Sequence, residues 1–524
     1  MADNNDKAVR AAGSMMIITL VGKVLGLVRD MLLAANYGSG MEANAFLTAS
    51  RIPRVFFDAI FASAISASFI PIFNECLEKK GKDEAFKFTN KFVSLIFVVT
   101  AALTVAGMVF APQLVNLFAV GFDAETASLS SKLLIFMFPT VIFTGIAYSF
   151  VGVLQSFDEF TIPAALSIVS NGIIIIYYLF FNRSMGIFGL AAAFLIGWAM
   201  QAVMQIPSLI KKGYRYKPML NVRHDDNIKK VLLLMLPVMV STWVQPINVA
   251  INTRFASTLY EGAGVSAIEY ANNLYTIIVG VFVLSVANVI FPRLSRMTAN
   301  NEKNAFFNTV IMTTRVLSFI IIPMTVGVMC LSGQIISLIY ERGAFDAFST
   351  GITAQALFFF ALGMFGYGLQ TIISRAYYAE QDGKTPFIAG FVSIAVNLVL
   401  CKILVGKMAV SGLALASAIS STVYGLVLFI ALRRKNKDAD MKGFGGSIIK
   451  MIISAVVMGI AVTAVKNILW SSDGSLIMKV IVIGISVVVG IIVYAVMTKI
   501  TKLYEMTLVL KYAKNIIKKK GTEE

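Results

Sequence analysis

The sequence predicts an all-α, polytopic membrane protein: about fourteen transmembrane helices, built as two parallel six-helix lobes with two further helices at the C-terminus. Three observations carry this. Of 524 residues, 58% are hydrophobic and 14% charged, and the mean hydropathy of +0.80 lies far above that of soluble chains. The apolar runs are near twenty residues long and do not alternate, so they suit spanning helices rather than the strands of a barrel. A constant internal offset, set out below, divides the helices into lobes.

In chain order the helices are expected at residues 12–37, 43–73, 88–112, 130–155, 162–182, 187–210, 228–252, 266–291, 307–331, 350–378, 386–405, 409–432, 446–469 and 475–497. The polar start, Met1 to Met16, leads directly into the first helix and reads as a retained start-transfer anchor. Pro53, Pro71, Pro139, Pro237, Pro246 and Pro323 fall inside helical stretches and are expected to kink them. After the last helix, Leu503, Met506 and Leu510 form an apolar stripe among lysines, as in an interfacial amphipathic helix on anionic lipid. The domains that follow are an N-lobe at 1–212, a cytoplasmic linker at 213–227, a C-lobe at 228–434, two helices at 435–498 and a cytoplasmic tail at 499–524.

Lysine and arginine set the orientation. The loops after even-numbered helices hold Lys79, Lys80 and Lys82, then Lys211, Lys212 and Arg215, then Arg293 and Arg296, then Arg433, Arg434, Lys435 and Lys437. The loops after odd-numbered helices carry only scattered charge. Both termini are therefore expected in the cytoplasm.

Phe122-Asp123-Ala124 recurs as Phe345-Asp346-Ala347, Pro163 as Pro386, and Gly189-Leu190-Ala191 as Gly412-Leu413-Ala414, each pair 223 residues apart. A repeat of six helices enters the membrane from the same side both times, so the lobes are expected to be parallel. Transporters built this way are expected to bind substrate between lobes.

The most unusual stretch is the first hairpin, Gly22 to Asp58. Its two helices meet at Gly38-Ser39-Gly40, yet they carry Lys23, Arg29, Asp30, Arg51, Arg54 and Asp58, whose formal charges sum to +2. A charge at the centre of a spanning helix costs about 2.5–3.5 kcal/mol. Arg29 lies nine residues before Gly38, roughly 14 Å along the axis and so near mid-membrane. Arg51, Arg54 and Asp58 share a face; so do Gly22, Gly26 and Arg29; Lys23 and Asp30 share another. Either these groups pair among themselves, or a buried cationic site awaits an anion, and the arginine fork suits phosphate. In the second lobe, helix seven carries Trp243, Gln245 and Asn252 and ends at Arg254, and helix eight carries Glu269, Asn272 and Asn273. For Asn272 and Asn273, interhelical hydrogen bonding and ligand contact both remain open. Arg254 reads as a ligand contact or a headgroup anchor.

The net charge of +17 sits mainly in short loops, as topology requires, so nucleic acid is not an expected partner. Cys76, Cys330, Cys401 and the single His224 have no metal-ligand spacing. No catalytic constellation and no phosphate-binding ATPase loop is present. A transporter without cofactor or metal is expected, rather than an enzyme.

Gly22–Asp30 (GKVLGLVRD), Met41–Phe46 (MEANAF), Ile52-Pro53, Phe69-Ile70-Pro71, Ile251–Ser257 (INTRFAS), Glu341–Asp346 (ERGAFD) and Ala376–Pro386 (AYYAEQDGKTP) together resemble the MurJ (MviN) lipid II flippases of the multidrug/oligosaccharidyl-lipid/polysaccharide exporter superfamily. The resemblance runs over the whole chain. It implies a multi-pass protein of the bacterial plasma membrane, acting as a monomer. It would carry lipid II, the undecaprenyl-diphosphate-linked peptidoglycan precursor, to the outer leaflet by alternating access, with membrane lipids as its other partners. It also implies that Lys23, Arg29 and Asp30, with Arg51 and Arg54, contact the substrate diphosphate. Two positions depart from the family pattern. Asn272 and Asn273 stand where an Asp-Arg or Asn-Arg pair is common, which leaves Arg254 as the candidate replacement. Asn397 matches a sodium ligand of some members, but Cys401 replaces the expected carboxylate, so no metal site is expected. The rival readings are a flippase for another lipid-linked oligosaccharide and a cation-coupled multidrug antiporter, which calls for an acidic site.

Overall fold

The computed structural model describes residues 2–222, 225–435, 443–471 and 474–507, with side chains described except at 2–14, 16, 56–64, 66, 67 and 236–242. His224, Asn436, Lys437 and the tail from 508 onward, Leu510 included, lie outside the described residues, as does the side chain of Asp58. Contacts divide the chain into two compact units: Met1–Ser266 with Arg342–Phe345, and Ala267–Glu341 with Asp346–Glu524.

The first unit holds α1 (Ala2–Tyr37), α2 (Met41–Ala64), a π-turn (Ile65–Phe69), α3 (Ile70–Lys80), α4 (Lys82–Val109), α5 (Ala111–Phe118), α6 (Ala124–Met137), α7 (Thr140–Ser156), α8 (Thr161–Ala164), α9 (Leu166–Phe180), α10 (Asn182–Val203), α11 (Ile206–Lys211), α12 (Asp226–Thr242) and α13 (Val244–Ala256). Proline acts differently by position. Pro53 lies inside an unbroken α2. Pro139 separates α6 from α7. Pro71 occupies the first turn of α3, where its missing N–H costs nothing. An aromatic cluster is centred on Phe69, whose ring lies 4.8 Å from Phe92, 5.3 Å from Phe88 and 5.6 Å from Phe73.

The segment after α11 is strapped along α4. The Lys217 N–H donates to Asn90 Oδ1 at 3.1 Å and the Met219 N–H to Ser94 Oγ at 3.0 Å. Lys91 Nζ lies 2.7 Å from Asp225 Oδ2. Asp225 in turn caps α12 through the N–H groups of Asn227 and Ile228. The contact division therefore differs from the expected lobe division by one span: α12 and α13 pack with the first unit.

The second unit holds most of α14 (Gly264–Ala299), then α15 (Lys303–Tyr340), α16 (Ala347–Leu362), α17 (Met364–Ala379), α18 (Lys384–Lys435), α19 (Phe444–Leu469) and α20 (Leu476–Ile500). Among the described residues, nine helices are long and apolar enough to cross a bilayer, and α16 with α17, bent by 45°, makes a tenth. The 52-residue α18 contains both expected spans at 386–405 and 409–432, kinked at Ala409. The remaining expected spans are helical as α1, α2–α3 and α12–α13. The all-α, fourteen-span reading therefore holds. Two observed helices run longer than expected: α3 reaches Lys80 and α15 begins at Lys303.

The repeat is visible in local structure. Asp123 accepts from the Thr126 N–H at 3.1 Å, and Asp346 from the Ser349 N–H at 2.8 Å, each as a helix N-cap. Asp158 and Gln381 both turn through a positive φ, 57° and 60°. Past α20 one expectation changes. Lys502, at φ 50°, turns the chain back. Leu503 is buried against Phe319, Met451, Met458 and Tyr494, with Met506 beside them. The start of the tail stripe therefore packs on protein, because those apolar side chains find a cluster within the unit.

Candidate functional site

The site is built on α1. Gly22 is buried, and a Cβ there would stand 2.2 Å from Ser167 Oγ; at Gly26 it would stand 3.5 Å from Asn171 Nδ2. This small-residue face lets α9 approach α1 closely. Asn171, 7% exposed, then reaches both ends of the stripe. Its Nδ2 donates to the Gly22 carbonyl at 3.2 Å, and its Oδ1 accepts from Arg29 Nη1 at 3.1 Å. Arg29 also meets Asp30, with Nε and Nη2 on Oδ1 at 3.0 and 2.7 Å. The guanidinium thus touches a carboxylate and a neutral amide.

The second helix is arranged differently. Arg51 Nη1 donates to Thr253 Oγ1 at 3.2 Å, and that hydroxyl passes its own proton to the Val249 carbonyl at 3.0 Å. Arg54, one turn on and exposed, lies within repulsive range of Arg51. Lys23 is half-buried and makes no hydrogen bond or ion pair among the described residues. The hairpin's formal charge, four cations against Asp30 and Asp58, is +2. Holding it at membrane depth is costly unless a ligand or water compensates it.

Arg254, next in the chain to Thr253, makes different contacts. At the end of α13 it donates through Nη1 to the carbonyls of Leu117 at 2.5 Å and Asn116 at 3.4 Å, closing the last turn of α5. Gly121 N–H donates to Ser257 Oγ at 3.1 Å just beyond. Asn272 and Asn273 lie on α14 in the second unit, both half-buried, and Thr276 donates to the Asn273 carbonyl at 3.0 Å. Asn397 and Cys401 are fully buried one turn apart, with the thiol 3.7 Å from the amide oxygen. Asn171 and Thr253 are the site residues that sequence reasoning missed. The available signal for Asn171 was a lone amide in the apolar run Ser170–Phe180.

The second unit contains a cavity of about 560 Å³ between α14, α15, α19 and α20. Phe319, Pro323, Met324, Val462, Gly490 and Tyr494 are among its walls. Its lining is almost entirely apolar, which suits hydrocarbon and not a sugar or a phosphate.

The family model described as lipid II flippase MurJ matches residues 33–482. The chain belongs to that family. A curated relative from Rhizobium tropici, named a probable lipid II flippase MurJ, is 29% identical over 492 residues, covering 91% of each chain. A solved lipid II flippase MurJ in an inward closed conformation matches with a TM-score of 0.79 at 27% identity, covering 93% of this chain and 98% of that one. An inward-facing multidrug resistance MATE transporter of the MOP superfamily matches with a TM-score of 0.66 and 14% identity, over 81% of this chain and 98% of that one. This last likeness is one of fold. Membership makes the chain a multi-span membrane protein of a flippase family.

Proposed function

We propose that this protein is a lipid II flippase of the bacterial plasma membrane. It takes the lipid-linked peptidoglycan precursor from the cytoplasmic leaflet and releases it at the outer one by alternating access. The observation that carries this reading is the charge pattern of the first hairpin. It sets four cations, Lys23, Arg29, Arg51 and Arg54, against two carboxylates, Asp30 and Asp58, and Asp30 faces Arg29. A diphosphate supplies the compensation for that excess of positive charge. The apolar cavity of the second unit offers a dry surface for part of the polyprenyl tail.

No covalent step is needed. Binding neutralises the cationic groups, and a state that accepts the neutralised site is favoured by the difference in affinity. The membrane potential is a sufficient source of work, since one charge moved through 100 mV gains about 2.3 kcal/mol. A drug antiporter for cations needs an acidic site, the opposite of this one. Both termini lie in the cytoplasm on this reading.

The test is complementation of a strain depleted of its lipid II flippase. Wild type is expected to restore growth, and Arg29→Ala, inserted at the same level, is not. Normal growth on Arg29→Ala alone would remove the phosphate-binding role.

A further inference from the structure

We infer that Asn171 is a positioning residue for the anion site, and that its neutrality sets the site's preference for a diphosphate. The inference rests on the flippase reading above. Asn171 is buried, and it touches α1 at Gly22 and at Arg29, seven residues apart on one stripe. Its two polar ends face in opposite senses, the Nδ2 donating to a backbone carbonyl and the Oδ1 accepting from the guanidinium. A single amide therefore fixes both the distance between helices and the plane of Arg29.

The identity of the acceptor matters because of charge. Arg29 already faces Asp30 at 2.7 Å. A neutral acceptor adds no charge to this pair. A second carboxylate in the same place would make it net negative, in a medium where charges interact strongly. Lys23, Arg51 and Arg54 would then draw the diphosphate toward a repelling group. The glycines at 22 and 26 acquire a reason in the same step: bulk there would push Asn171 away from Arg29.

The experiment measures binding of undecaprenyl diphosphate to purified full-length protein in detergent, at several salt concentrations. Arg29→Ala, Asn171→Ala, Asn171→Ser and Asn171→Asp are compared, each checked for an unchanged melting temperature. Asn171→Ala is expected to weaken binding several-fold by freeing the guanidinium. Asn171→Asp keeps an acceptor, yet is expected to bind at least about tenfold more weakly than Asn171→Ala, with a shallower salt dependence. A residue that merely holds helices together would give the reverse order, because aspartate holds arginine better than alanine does. Asn171→Ser, a shorter neutral acceptor, is expected to stay within about threefold of wild type, and this arm stands even if the aspartate variant does not fold. Binding by Asn171→Asp equal to or tighter than Asn171→Ala, or by Asn171→Ser as weak as Asn171→Ala, overturns the inference while Arg29→Ala still loses affinity. Undiminished binding by Arg29→Ala overturns the flippase reading instead.

Discussion

Ala409 repeats the backbone of Gly186. The two stand 223 residues apart, at φ 47°, ψ −129° and φ 54°, ψ −152°, each at the kink inside a helical run. Glycine adopts this region readily; an L-residue there is strained by roughly 1–3 kcal/mol. At Gly186 nothing lies within 4 Å of an added Cβ, so the cost of a substitution is backbone strain alone.

Ala409→Gly is therefore expected to stabilise the protein by about 1 kcal/mol, and Gly186→Ala to destabilise it by a similar amount. Thermal unfolding in detergent reads both. Equal melting temperatures for wild type and Ala409→Gly would mean that the strain at 409 is relieved elsewhere.

The recurrence also explains why the fold was so legible. Long apolar runs and N-cap motifs such as Phe122-Asp123-Ala124 are local features, and they mark spans and repeat without reference to tertiary structure. Breaks were less legible, since Pro139 breaks a helix while Pro53 and Pro323 do not. Packing against neighbours decides that difference. Half of the site was legible for the same reason. Charges in an apolar run announce Lys23, Arg29 and Arg51, but their neutral partners, Asn171 and Thr253, come from helices more than a hundred residues away. An amide or a hydroxyl in a spanning helix has many uses, and sequence alone does not choose among them.

Gly343→Ala is expected to abolish function. Gly343 sits at φ 58°, and a Cβ there would lie 2.2 Å from the Ala35 carbonyl oxygen. The adjacent Ala344 N–H donates to that same oxygen at 2.9 Å, so the backbone has no room to retreat. Strain and overlap together are expected to cost at least about 2 kcal/mol. Reduced expression or a clearly lowered melting temperature is the readout; a variant as stable as wild type would mean that residues 342–345 shift freely.

The Lys91–Asp225 pair makes stability depend on acid. Burial pulls the Asp225 carboxyl upward. Hydrogen bonds from Lys91 and the Ile228 N–H, with the Lys91 charge, outweigh burial and hold it below the ordinary aspartate value. A carboxyl depressed in the folded state binds its proton more readily when unfolded. Its stabilisation is thus complete above the unfolded value, about 3.9, and is lost as pH falls through the lower folded value. Wild type is expected to lose more stability than Asp225→Asn as pH falls from 5 to 3. Parallel unfolding curves for the two proteins over that range would remove the linkage.

Arg254→Ala is expected to lower stability without changing affinity for a diphosphate. Its guanidinium closes the C-terminal end of α5 through the carbonyls of Leu117 and Asn116, where a positive charge also suits the helix dipole. The helix has eight residues, too short to persist without such support. Losing a charge-assisted hydrogen bond at an exposed position costs about 1 kcal/mol. Arg254→Lys keeps the charge but loses the fork, and is expected to recover about half of that. Undecaprenyl diphosphate binding by Arg254→Ala is expected to stay within about twofold of wild type, since this side chain spends its donors on backbone. A tenfold weaker affinity at unchanged stability would instead make Arg254 a substrate contact.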